Sequence, residues 1–357
     1  MKKILLSLCC VVLMITSLVS CKPDVELTSD YQDVTVVYGL LNPLDRYQYI
    51  KIYKGFLTKD NALVWAQDLD NISYYNDITV KLEEYFPESA GGALRYTYTL
   101  DTVMNIHKDD GVFAYPTQVL YCMKKPIREG FRYRLVIENK ITGNVVTAQT
   151  RTIPEPSFDL PGPYHGASIS SFLWFNDLPW YVGCNSLPEN GYAVDAYVTF
   201  RYIEKNLTTG DTVHKSIKDI RLTTGFVLGN ETPIKRSSVL RIIHDNIEPD
   251  DNVWRYADDN GRDINCLDIK LWVCDTVYYT YYKIAQPSSS IVQYRVPYDN
   301  IGTHDDLNLG FFASRTYKTR RFSIYNTSDW ERNEDSLRLG QWTKNLNFRP
   351  YTELLDE

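Results

Sequence analysis

Cys21 is the residue of this chain whose surroundings specify a reaction most sharply. It closes Leu18-Val19-Ser20-Cys21, behind a basic pair, Lys2 and Lys3, and an apolar run from Ile4 to Leu18. A basic head, an apolar middle and small residues at the end mark a secretory signal peptide. A cysteine directly after Leu-Val-Ser resembles the bacterial lipobox, in which the thiol is lipidated and the bond before it is cut. The rival readings are weaker. A membrane span needs ~20 apolar residues, and Ser7, Cys9, Cys10, Thr16 and Ser17 interrupt this run. A plain signal peptide would show an Ala-x-Ala site, and none follows the run. The expectation is that residues 1–20 are removed and Cys21 is lipidated, its acyl chains supplying ~0.8 kcal/mol of membrane affinity per buried methylene.

The other reactive residue types do not converge. With Cys9 and Cys10 in the signal and Cys21 acylated, Cys122, Cys184, Cys266 and Cys274 remain as disulfide candidates, their pairing open. Buried free thiols are the preferred reading. No Cys/His spacing of a zinc site occurs. His107, His165, His214, His244 and His304 are scattered singly, and no G-x-S-x-G, phosphate-binding glycine loop or H-E-x-x-H is present. The expectation is a chain with no catalytic centre, no metal and no cofactor. Asp258-Asp259-Asn260-Gly261-Arg262-Asp263 offers clustered oxygen ligands, but with Gly261 at the sixth place of a calcium loop, Tyr256 and Leu267 fall at its first and last. It reads as a turn. Asp-Thr-Val recurs at Asp101, Asp211 and Asp275, and Asp335-Ser336-Leu337 is related. These resemble the O-glycosylation sequon of exported Bacteroidetes proteins, with Thr102, Thr212, Thr276 and Ser336 as acceptors. The competing explanation is strand composition.

Composition limits the partners. The net charge of −7 falls to about −9 once Lys2 and Lys3 are removed. An acidic chain does not fit nucleic acid, whose phosphates need clustered Lys and Arg. Tyrosine is over-represented, at 28 residues. Most are expected on half-buried strands, and a minority on an exposed binding face.

The elements that must position these residues are mostly strands. Val34 to Tyr38, Tyr47 to Lys54, Asp77 to Tyr85, Leu94 to Leu100 and Gln118 to Cys122 read as strands. Tyr133 to Glu138 and Val145 to Thr150 read as a hairpin. Asn61 to Asp70 reads as a short helix. Regular turns between some seven strands predict an immunoglobulin-like or fibronectin-like β-sandwich. The proline knots Ile153-Pro154-Glu155-Pro156 and Pro161-Gly162-Pro163 read as a linker. Ser168 to Phe175, Tyr192 to Glu204 and Thr212 to Leu222 then read as further β-structure, and Ser237 to Ile247 as a helix with a serine N-cap. Ile264 to Tyr279 reads as β-rich, with Val277 to Ile284 open between strand and helix. The expected organisation is signal 1–20, tether 21–31, β-sandwich 32–153, linker 154–165, and a second β-rich domain with a few short helices over 166–357.

Several stretches also carry a family likeness. Val36 to Pro43, Tyr49 to Ile52, Pro287 to Gln293, Tyr298 to Ile301 and Leu307 to Arg315 together resemble a family of uncharacterised Bacteroidetes outer-membrane lipoproteins. The chain departs from that pattern at Asn300 to Asp306, where a glycine-rich run would stand. Lys22-Pro23-Asp24-Val25-Glu26 likewise resembles the surface-export signal of such lipoproteins. The resemblance implies two β-rich domains, an outer-membrane location with the cell surface favoured over the periplasm, and a partner among TonB-dependent receptors. It brings no catalytic residues. A glycan-binding protein and a hydrolase are the alternatives. The segment ending at Phe311-Phe312-Ala313-Ser314-Arg315 reads as a core-closing final strand in preference to a binding loop.

The anchor is directly testable. Cys21→Ala should release the protein from the membrane fraction or leave the precursor uncut, as read by fractionation and immunoblot. Mature-sized protein that stays membrane-bound would contradict the lipobox reading.

Overall fold

The computed structural model describes residues 34–55, 61–159, 179–258, 266–285, 300–302, 308–322 and 330–355. Residues 1–20, expected to be a signal peptide, lie outside them, as do Cys21, residues 161–163 and 168–175, His165, His304 and the run from Asp259 to Asp263.

Alternation of apolar and polar residues sets the first half. β1 (Thr35–Leu41), β2 (Gln48–Lys54), β3 (Ile78–Tyr85), β4 (Leu94–Thr99), β5 (Asp101–Val103), β6 (Leu120–Met123), β7 (Arg132–Asn139) and β8 (Val145–Arg151) form two facing sheets. One runs β5-β6-β2-β1 and the other β4-β3-β7-β8. In immunoglobulin terms these are D-E-B-A against C′-C-F-G, so the expected sandwich is present. Every second residue of β3 is buried, and β7 repeats the pattern. Val37, Ile50, Ile52 and Tyr121 from one sheet meet Val80, Leu82, Leu135 and Ile137 from the other. At the entry to β7, the buried Tyr133 hydroxyl accepts from the Arg128 N–H at 2.8 Å and donates to Glu84 Oε2 at 2.6 Å. This is the tyrosine corner of such folds.

The second half extends the first sheet. β9 (Pro179–Gly183) and β13 (Glu231–Lys235) pair as a small ribbon. β10 (Ala193–Asn206), β11 (Thr212–Arg221), β12 (Val227–Leu228), β14 (Val253–Ala257), β15 (Leu267–Cys274) and β16 (Leu309–Phe322) join β1, β2, β5 and β6 in a ten-stranded sheet. The halves expected as 32–153 and 166–357 therefore share one sheet. Its seam is the parallel pairing of β1 with β16, from Val36↔Leu309 to Leu41↔Ser314. Just before the expected linker, Ile153 is fully buried, and its N–H donates to Ser314 Oγ at 3.2 Å. The β16 stretch is the core-closing strand anticipated, since Phe312 packs inside the sandwich.

Six helices accompany the sheets among the described residues. α1 (Ala62–Trp65) and α2 (Leu69–Ile72) replace the single short helix expected over Asn61 to Asp70. Asn61 and Asp68 each cap an N-terminus with their side chains, so the segment breaks into two turns. α3 (Arg236–Asn246) starts earlier than expected, and its N-cap is Lys235, which makes no side-chain cap. Val239, Leu240 and Ile243 bury its apolar face in the second core. α4 (Thr276–Ala285) settles the open segment as helix, directly after β15. α5 (Trp330–Leu339) and α6 (Tyr351–Leu355) were not legible as helices.

Two glycines permit the seam. A Cβ on Gly39 would stand 2.6 Å from the Phe312 ring. Gly310 has φ +107°, and a Cβ there would lie 1.9 Å from the Val37 carbonyl oxygen. Gly310→Ala should therefore lower stability by at least ~3 kcal/mol, combining backbone strain with overlap. Gly143→Ala, at φ +77° with no heavy atom within 4 Å, should cost only about 1 kcal/mol. Equilibrium urea unfolding of the two variants checks this, and equal losses would remove the special role of Gly310.

Candidate functional site

The outward face of the large sheet carries the site. In β2 the alternation that sends Ile50 and Ile52 inward leaves Tyr49, Lys51 and Tyr53 outward. Tyr38 of β1 stands opposite Lys51 in the ladder, and Phe311 of β16 opposite Tyr38. Residues 104–119, between β5 and β6, fold over this surface. They are tied down by the Ala114 N–H, which donates to the Ala66 carbonyl at 2.9 Å, and braced internally by the Lys108 ammonium, which donates to the carbonyls of Phe113 and Ala114 at 3.0 and 3.1 Å. Between cover and sheet lies a cavity of about 160 Å³. Tyr38, Lys51, Tyr53 and Phe113 line it, together with Leu69 and Ile72 of α2.

Its aromatic walls are connected. Tyr53 lies 6.0 Å from Tyr38 and 5.9 Å from Phe113, centroid to centroid. Tyr38 meets Phe311 at 5.5 Å and Tyr281 at 5.9 Å, and the Tyr281 hydroxyl donates to that of Tyr38 at 3.1 Å. The row continues along α4, where Tyr278 packs on Phe311 and on Phe226. Such tilted and edge-on contacts add ~0.5–1.5 kcal/mol each beyond area burial. Burial, and then the bond to Tyr38, push the Tyr53 and Tyr281 hydroxyl pKa values up, so both stay protonated. Burial, and then the charge of Lys108, push the Lys51 pKa below the ordinary lysine value.

The helix that carries these tyrosines is fastened at Asp275, which is 3% exposed. Its carboxylate accepts from the Tyr278 N–H at 2.8 Å, capping α4, from the Ser314 N–H at 2.7 Å and from the Thr150 hydroxyl at 3.1 Å. One side chain thus ties α4 to β16 and β8. Asn300 makes a second tie: its amide exchanges two bonds with the Phe312 backbone, at 2.8 and 2.9 Å, and donates to the Gln149 carbonyl at 3.3 Å.

The residues singled out in the sequence do not gather here. Cys122, Cys184, Cys266 and Cys274 are all buried, and no disulfide joins them. Burial raises the thiol pKa of Cys184 to about 11 and raises those of Cys122 and Cys274 as well, which keeps them protonated and unreactive. Among the glycosylation-like acceptors, Thr212 and Thr276 are exposed, while Thr102 is half-buried and bonded to Asn76. Ser336 is fully enclosed, so its hydroxyl is closed to a glycan in the folded chain. Asp258 pairs with His214 at 2.8 Å. Among the described residues, no three His, Cys, Asp or Glu side chains are placed to hold a metal, and no helix is long and apolar enough to cross a membrane. Two half-exposed aromatic pairs are tilted: Trp272–Tyr317 by 56° and Tyr96–Tyr98 by 43°. The Arg315 guanidinium also lies 4.2 Å from the Trp272 ring centroid. Neither pair offers the flat platform that sugar stacking uses.

No family model and no curated protein matches the chain.

The fastening at Asp275 predicts a pH effect. Burial raises its pKa to about 6 against the donors that lower it. The folded chain therefore holds this proton to higher pH than the unfolded chain. The group's contribution is fully present below about pH 4 and is lost as pH rises through about 6. Relative to an Asp275→Asn variant, which mimics the protonated form, the parent chain should lose about 2 kcal/mol between pH 4 and 7. Urea unfolding across that range checks this, and parallel pH profiles would refute it.

Proposed function

We propose that this chain is a lipid-anchored cell-envelope protein that captures a small ligand in the Tyr38–Tyr53–Phe113 cavity, without catalysis, beside a TonB-dependent uptake receptor. The single observation that carries the ligand-capture reading is the cavity, walled by three aromatic rings. Binding sites are concave and mostly apolar, with a few placed polar groups, and this cavity fits that description with Lys51, Ser73 and Gln118 among its polar members.

Several features support a preformed site. Its floor is a sheet, and its cover is held by one backbone hydrogen bond to Ala66, at the end of α1, and braced internally by the Lys108 bridges. A rigid floor and a pinned cover lower the ordering cost of binding. Phe113 is 37% exposed and stands at the mouth, where a ligand would enter. The lipobox at Cys21 and the tether that follows supply the anchor, and the resemblance to receptor-associated lipoproteins supplies the partner class. The anchor would hold such a site within reach of a receptor in the same membrane. That raises the effective concentration of the second binding event.

Affinity purification of the tagged, lipidated protein from its own outer membranes tests the partnership. A TonB-dependent receptor should co-purify in near-stoichiometric yield. Recovery of the lipoprotein alone would remove the receptor from the proposal.

A further inference from the structure

The cavity has an unbalanced charge. Lys51 sits on its sheet wall, half-buried, with its Nζ 5.9 Å from the Tyr53 ring centroid. None of the lining residues carries a carboxylate, and among the described residues Lys51 makes no ion pair. The second nearby cation, Lys108, is held by the backbone carbonyls of Phe113 and Ala114, in the cover itself. Lys51 is thus the one ammonium that lines the space, and the Lys108 charge lies close enough to act on it. A partly desolvated cation without a counter-charge is costly, and an anion entering the space offsets that cost.

We propose that the cavity takes a small single-ring aromatic carboxylate, its ring against Tyr38, Tyr53 and Phe113 and its carboxylate on the Lys51 ammonium. This rests on reading the cavity as the ligand site. Size selects the ring: an apolar protein cavity of ~150 Å³ holds benzene, and this one measures about 160 Å³. A disaccharide does not fit that volume. Chemistry selects the anion. The ammonium–carboxylate contact is a charge-assisted hydrogen bond, about twice as strong as a neutral one. A neutral ring would fill the space and leave Lys51 unpaired. The lowered pKa of Lys51 is what burial beside a second cation produces, and a bound carboxylate would reverse it. Lys51 and its aromatic neighbours come from strands, so the charge is placed by the sheet register. Tyr38 and Lys51 are direct cross-strand partners.

Benzoate, benzyl alcohol and acetate are the probes, titrated into the full mature chain and followed by calorimetry or by NMR shifts. Benzoate should bind at least about tenfold more tightly than benzyl alcohol, a difference of ~1.4 kcal/mol, and acetate should not saturate. Lys51→Met, which keeps the apolar stem, should weaken benzoate by about tenfold and leave benzyl alcohol within about twofold. Phe113→Ala should weaken both ring compounds. Lys218→Met, at an exposed position of β11, should change neither. Equal affinity for benzoate and benzyl alcohol, or an unaltered benzoate affinity in Lys51→Met, would overturn the carboxylate assignment while leaving the cavity a ligand site. Binding of neither ring compound would overturn the ligand-site reading itself.

Discussion

The parallel ladder between β1 and β16 is the constraint on which the molecule depends. It sets the first described strand beside the last one, with partners 273 residues apart in sequence, as in the Thr35 N–H to Asn308 bond. Closing so long a loop adds only about 1 kcal/mol of entropy over a loop of about 100 residues. Length is therefore no obstacle; local fit is. The ladder tolerates no side chain at Gly310, where the Val37 carbonyl occupies the space, and none at Gly39 without displacing Phe312. Around this seam the polar groups are satisfied by distant partners. Ser314 receives the Ile153 N–H and donates to the Leu41 carbonyl, while its own N–H goes to Asp275. Backbone from three parts of the chain is thus paired at one point.

The seam also creates the surface on which the cavity lies. An isolated sandwich would leave the outward face of β1 and β2 open at the β1 edge. Joining β16 places Phe311 beside Tyr38. The helix that follows β15 then lies over the same face, with Tyr278 and Tyr281 on Phe311. Aromatic packing runs from the cavity wall into the second half of the molecule, so the cavity wall is braced by both halves. Asp275 is the polar counterpart of this packing. A buried carboxylate with three donors is expensive to place and rigid once placed. It orients the α4 backbone where the tyrosines must meet the sheet.

Much of the fold was legible because period-two alternation survives folding. Ile50 and Ile52 point one way and Tyr49, Lys51 and Tyr53 the other, as their order in the chain requires. The β7–β8 hairpin followed from its glycine turn, and the final strand from its aromatic and small residues. What failed had physical reasons. Asn61 and Asp68 each cap their own turn, so the first helix splits. Val277 to Ile284 is rich in tyrosine and β-branched residues, so its pattern suits strand or helix alike, and in the fold the Asp275 side chain caps it as a helix. The shared sheet was not legible, because proline-rich sequence before residue 166 reads as a linker while Ile153 packs in the core. The candidate site was half legible. An excess of tyrosine pointed to a binding face, but the tyrosines and lysine that line the cavity look like any outward strand residues until a cover is folded over them.

By itself the sequence determined the strand-rich class, the sandwich order of the first half and the residue types facing outward, because these follow from local alternation and turn chemistry. It also carried Leu18-Val19-Ser20-Cys21, the segment on which the proposed anchor rests. The tertiary structure alone decided which outward residues became a site. That choice depends on pairing across 273 residues, on two glycines that let backbones approach, and on a cover tied down at Ala66. Pairings of that range have no local signature, because the free energy that selects them arises only when both partners leave water together.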